Sequence, residues 1–123
     1  MGVSLAGWLP GVSLNAAGRA QLPGLVARVA RRLGGAPLAA VVASPMARAQ
    51  ETAAALARAH GLAVAVEPGL AELDAGDWTG RSFDALGDHP DWAPFNSYRS
   101  GTRPPGGELA LEAQARAVAA VLR

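Results

Sequence analysis

Two residues of this chain have the type and setting to handle an anion: Arg48 in "VVASPMARAQETAAAL" and Glu72 in "LAELDAGDWTG". Arg48 falls in the first turn of an expected helix that follows directly on an apolar strand, where the helix macrodipole already presents partial positive charge and a further cation is disfavoured. An anion at that spot resolves the conflict, because free backbone N–H groups and a forked guanidinium together suit phosphate oxygens. The local alternative is an exposed Arg48 paired with Glu51 one turn on, worth roughly 0.2–0.5 kcal/mol. Glu72 follows a second expected strand by a few residues. At the carboxyl end of a sheet, beside a phosphate, such a carboxyl group can hand a proton to a leaving oxygen; the commoner role is a solvated loop glutamate.

Other chemistry is poorly supplied. Asp74, Asp77, Asp84, Asp88 and Asp91 lie close in sequence but lack calcium-loop spacing, so an acidic loop is expected and no metal or cofactor. His60 suits a helix C-terminus and His89 sits in the turn "GDHPDW"; neither has the surroundings of a nucleophile. Trp8, Trp78 and Trp92 fall outside periodic segments, where they either wall a pocket or anchor long loops. The chain has no cysteine, which removes disulfides and thiol chemistry. All 11 basic residues are arginine, and with the abundant alanine this points to a high-GC bacterial gene. They are scattered rather than striped, so no nucleic-acid footprint is expected.

The elements that must position these residues follow from periodicity and punctuation. Half of the 123 residues are hydrophobic and 17% charged, which fits one folded domain. No apolar run reaches a membrane span and no signal peptide is recognisable, so a cytoplasmic protein is expected. "MGVSLAGWLPGVSLN", with Gly2, Gly7, Gly11 and Pro10, reads as a loop. Asn15 caps a helix to Leu33 with a weak point at Pro23, and Gly34 and Gly35 end it. "APLAAVVAS" reads as a short buried strand, Ser44 and Pro45 as the N-cap and first residue of a helix to His60, Gly61 as its stop, and "LAVAVEP" as a second strand. Residues 67–105 read as a long loop or cap with one short helical turn near Phe83–Leu86, and "GGELALEAQARAVAAVLR" as a last helix. That order implies α/β with a parallel sheet, although two strands alone make a poor one.

Taken together, "AGWLPGVSLNAAGRAQ", "VVASPMARAQETAAAL", "LAELDAGDWTGRSFDAL" and "PPGGELALEAQARAVAAV" resemble the histidine phosphatase superfamily, the phosphoglycerate mutase-like group, over nearly the whole chain. The resemblance implies a three-layer α/β fold with a mainly parallel sheet. It further implies that Arg48 matches the phosphate-pocket arginine, Glu72 the proton donor, and Gly7 a backbone position near the substrate phosphate. The partner implied is a phosphorylated small molecule.

The departures carry expectations of their own. The family opens with a strand ending in Arg-His-Gly, whose histidine is the nucleophile, and bears a second pocket histidine on a strand after the last helix. Neither His60 nor His89 aligns with either, and Leu109 stands where a serine or threonine is usual. The expectation is therefore a partial domain over residues 1–123, its central strands absent, inactive as it stands. A non-catalytic phosphate-binding or interaction module is the alternative. Uncovered strand edges would also favour self-association.

Overall fold

The computed structural model describes residues 3–123; Met1 and Gly2, the start of the expected N-terminal loop, lie outside the described residues. The chain is an α/β protein with a small parallel sheet, and it divides into two compact units. One comprises Gly11–Pro68, the other the segment up to Pro10 together with Gly69–Arg123.

Within Gly11–Pro68, helix α1 spans Ala16–Leu33. Its start is fixed as the sequence predicts: the Asn15 side chain accepts the Gly18 N–H at 2.8 Å, a cap worth about 1 kcal/mol. Its end is Gly34, left-handed at φ 57°, whose N–H reaches back to the carbonyls of Ala30 and Arg31. Pro23 does not interrupt the helix. Strands β1 (Val41–Ala43) and β2 (Val64–Val66) pair in parallel, with Val41 opposite Val64 and Ala43 opposite Val66. Between them runs α2 (Ala47–Ala59), capped at its end by His60 and released by Gly61 at φ +65°. Ala53 and Ala57 of α2 are buried, and their small side chains let the helix lie close to its neighbours.

Two expectations for this unit need correcting. Ser44 and Pro45 do not begin the helix: α2 starts at Ala47, with Met46 as N-cap at ψ 135°. Met46 is itself extended, so helical backbone cannot begin before Ala47, and Pro45 and Met46 form the turn from strand to helix. The Gln50 side chain bridges the gap by donating to the Ser44 carbonyl at 2.7 Å. The strands are also shorter and less covered than the apolar run implies, since Val42 is 53% and Val66 55% exposed. Ala43 alone of the six strand residues is buried.

The other unit is organised around aromatic side chains. Residues 67–105 are not one irregular loop: they carry α3 (Phe83–Gly87), at the position of the expected turn, and α4 (Trp92–Ser97), which the sequence does not announce. Trp78, Leu86, Phe95 and Ala75 form a buried cluster. His89, Trp92 and Phe95 each meet the Trp78 ring edge to face, with centroids at 5.3, 5.4 and 5.3 Å. Trp78 and Trp92 thus act as anchors rather than pocket walls, and a tryptophan buried in this way typically carries about 3–5 kcal/mol. The expected N-terminal loop is partly extended here. Leu5 donates to the Arg81 carbonyl and Gly80 to the Leu5 carbonyl, with Ser4 bridged antiparallel to Ser82. Helix α5 spans Ala110–Leu122, and the Glu112 carboxylate accepts the Leu109 N–H at its start.

Among the described residues, no helix is long and apolar enough to cross a membrane.

Candidate functional site

Arg48 is the second residue of α2, directly after the β1 turn, as the sequence predicts. The N-terminus it occupies is unusual in composition. Met46 offers no side-chain cap, and the first turn contains no acidic residue. The first N–H groups of a helix have no intrahelical acceptor, so this end is electropositive both from the backbone and from the guanidinium. Arg48 is half-buried and lines an open concavity of about 460 Å³, with Val41, Val42, Ala43, Thr52 and Leu56 among its other walls. Thr52 Oγ1 donates to the Arg48 carbonyl at 2.9 Å, which steadies the first turn.

Glu51, the pairing alternative for Arg48, has a defined place. Its Oε1 accepts the Leu14 N–H at 3.0 Å and its Oε2 the Arg19 Nε at 2.9 Å, tying the entry to α1 onto α2. The Arg19 hydrogen bond holds the Glu51 carboxyl below the usual carboxylate range.

Glu72 and Gly7 lie together in the other unit. Gly7 is buried at φ +47°, and a Cβ there would stand 3.4 Å from both the Ala75 Cβ and the Thr79 Oγ1. Its neighbour Trp8 donates its indole N–H to the Glu72 carbonyl. Glu72 itself is exposed, and its Oε1 accepts the Leu73 N–H at 2.9 Å. The two histidines are placed away from any such role. His60 ends α2, 12 residues after Arg48 and so about 18 Å from it along the helix axis. His89 packs against Trp78, and its Nδ1 accepts the Asp91 N–H at 3.1 Å. Among the described residues, no group of three or more His, Asp or Glu side chains converges as metal ligands do.

Sequence reasoning missed the residues that hold the Glu72 segment. Arg116, on α5, donates from Nη1 to the carbonyls of Gly69 and Ala71 at 2.9 and 2.7 Å, and from Nη2 to that of Glu72 at 2.8 Å. Its Nε and Nη2 also grip both oxygens of Glu108. Glu108 Oε1 in turn accepts the Asp74 N–H at 2.8 Å, while the Glu108 N–H donates to the Asp74 carbonyl at 3.0 Å. Apart from Arg116 and Glu108 themselves, eight residues apart, these partners are 34 to 47 residues apart, so no local pattern betrays them. The pair of glycines before Glu108 was the available signal.

The Arg116 hydrogen bond, aided by the Asp74 N–H, pulls the Glu108 carboxyl below its ordinary range against an opposing push from burial. A carboxyl depressed in the folded state stabilises above its unfolded pKa, about 4.3, and that contribution is lost as pH falls below this value. The urea midpoint is therefore expected to drop between pH 6 and pH 3, less steeply in Glu108→Gln than in the parent. Parallel slopes would remove Glu108 from the acid response.

With fold and geometry in place, the comparisons agree on a class. The family model of the histidine phosphatase superfamily (branch 1) matches residues 4–123, and the chain belongs to that superfamily. Among curated relatives it is 50% identical over 68 residues to the Mycobacterium tuberculosis protein Rv0525, a match covering 55% of this chain and 32% of that protein. The mycobacterial glucosyl-3-phosphoglycerate phosphatase Rv2419c, solved with VO3, superposes with a TM-score of 0.84 at 29% identity, over 98% of this chain and 58% of that one. A putative alpha-ribazole-5'-P phosphatase from Escherichia coli superposes at 0.80 with 25% identity, over 98% and 58%. The chain thus spans about a third of that curated relative and somewhat over half of these solved chains. The fold expected from the resemblance, phosphoglycerate mutase-like α/β, is the one found.

Proposed function

We propose that this chain is the phosphate-binding and proton-donating part of a domain that hydrolyses phosphate monoesters of small molecules through a phosphohistidine intermediate. Arg48, with the first N–H groups of α2, holds the phosphoryl oxygens, and Gly7 is assigned as a phosphate-binding backbone position. Glu72 protonates the leaving oxygen as the bond from phosphorus to that oxygen breaks. Water then releases phosphate from the histidine.

The observation that carries this reading is the α2 N-terminus: an apolar N-cap, no acid in the first turn, and an arginine at its second position. The partial positive charge of a helix N-terminus favours an anion seated on it. The names of the structural relatives support the substrate class, since two are phosphatases of phosphorylated small molecules.

A second reading applies to the 123 residues acting alone: phosphate binding without turnover. It is favoured by the place of His60, which α2 carries to the end opposite Arg48. Loss of the nucleophile from a cooperating catalytic set costs on the order of a millionfold. Incubation of the purified chain with p-nitrophenyl phosphate is expected to release no nitrophenol above the blank. Turnover at a rate ordinary for a phosphatase would show that His60 or His89 serves as nucleophile, and would overturn this assignment.

A further inference from the structure

We propose that Arg116 is a positioning residue, whose guanidinium, locked to Glu108, sets the backbone path that presents the Glu72 carboxylate. The inference rests on the reading of Glu72 as the proton donor and adds the device that fixes it. An arginine side chain has five N–H donors in one rigid plane. In Arg116 all five are used: two on the Glu108 carboxylate and three on the carbonyls of Gly69, Ala71 and Glu72.

Three carbonyls from four consecutive residues therefore wrap one guanidinium, and Arg116 reaches them from 44 to 47 residues away. The Glu72 carbonyl is held twice, by Arg116 and by the Trp8 indole N–H. The Glu72 carboxylate closes on the next N–H in the chain, that of Leu73, which ties it to the backbone that Arg116 holds. The three bonds that Arg116 makes to this segment go to main-chain carbonyls. A lysine here would keep the charge and lose the plane, because an ammonium offers three donors from one point.

The test uses the full 15N-labelled chain with Arg116→Lys and Arg116→Ala. Two signals report on the Glu72 segment: hydrogen exchange of the Leu73 amide, which the Glu72 carboxylate accepts, and the Trp8 indole N–H resonance. The amides of Leu86 and Phe95 report on the aromatic core. Leu73 exchange is expected to rise at least about tenfold beyond any rise at Leu86 and Phe95, with the Trp8 resonance moving toward its solvent-exposed position. Added guanidinium ion should reverse both changes in Arg116→Ala.

A merely structural arginine would raise exchange at all of these sites together, and that result, or an unchanged Leu73, would overturn the proposal. If Arg116→Ala does not fold, Arg116→Lys decides, since the same two signals must move with the charge retained. The measurement uses neither phosphate nor turnover. A failed acid role for Glu72 would leave Arg116 holding this segment but remove its bearing on catalysis, whereas failure of the positioning would leave that role untouched.

Discussion

Replacing Arg48 by alanine is expected to weaken inorganic phosphate binding by about 10- to 100-fold, as isothermal titration would read it. Hydrogen bonds to a charged group are worth about 1.5–3 kcal/mol, and each 1.4 kcal/mol is a factor of ten. The residual affinity belongs to the α2 N–H groups, which the substitution leaves in place. Arg48→Lys should fall between the two, because it keeps the charge and loses the two-pronged fork. The helix itself should not suffer, since removing a cation from its first turn relieves an unfavourable interaction with the macrodipole. An Arg48→Ala chain that binds phosphate as well as the parent would take this residue out of the site.

The largest stability effect is expected at the crossing of residues 74–76 and 105–107. A Cβ on Gly107 would run into the Asp74 carbonyl oxygen, and one on Gly76 into the Pro105 carbonyl oxygen. Both obstacles are backbone, so neither can swing aside. Gly76 is in addition left-handed at φ +53°, which costs a non-glycine residue about 1–3 kcal/mol. Pushing the two strands of chain apart also threatens the Asp77 N–H bond to Pro105 at 2.8 Å and the Glu108 N–H bond to Asp74 at 3.0 Å.

Gly76→Ala or Gly107→Ala should therefore cost about 2–4 kcal/mol in urea unfolding, a large share of a typical net stability of about 5–15 kcal/mol. Gly24 provides the contrast. It lies inside α1 with nothing within 4 Å of its would-be Cβ, so Gly24→Ala should stabilise by about 0.5–1 kcal/mol. The same substitution thus changes sign between two sites. Equal effects at Gly24 and Gly107 would mean that the crossing is looser than described.

What the sequence made legible were features written within a few residues of one another. The Asn15 cap, the Gly34 and Gly61 stops and the place of Arg48 in the first turn of α2 all depend on local spacing, and all are found. The Ser44 cap failed because Met46 is extended and takes the N-cap position, and the side chain that bridges the turn is Gln50, six residues on. Helix α4 is six residues long, too short for a helical period to show, and it is held by Phe95 and Trp92 against Trp78 rather than by its own propensity. The Arg116 and Glu108 clamp was invisible for the same reason on a larger scale. The backbone of residues 69–74 meets the clamp only through tertiary folding, and Glu108 precedes α5 instead of lying on its face.

Where phosphate binds is the most direct test of Arg48. Titrating the 15N-labelled chain with inorganic phosphate and following every amide tests this in one experiment. The predicted result is saturable shifts centred on Ala47, Arg48, Ala49 and Gln50, with the amides of α4 unmoved. Shifts that are absent from the start of α2, or spread evenly over exposed arginines, would contradict the assignment of Arg48 as the phosphate residue.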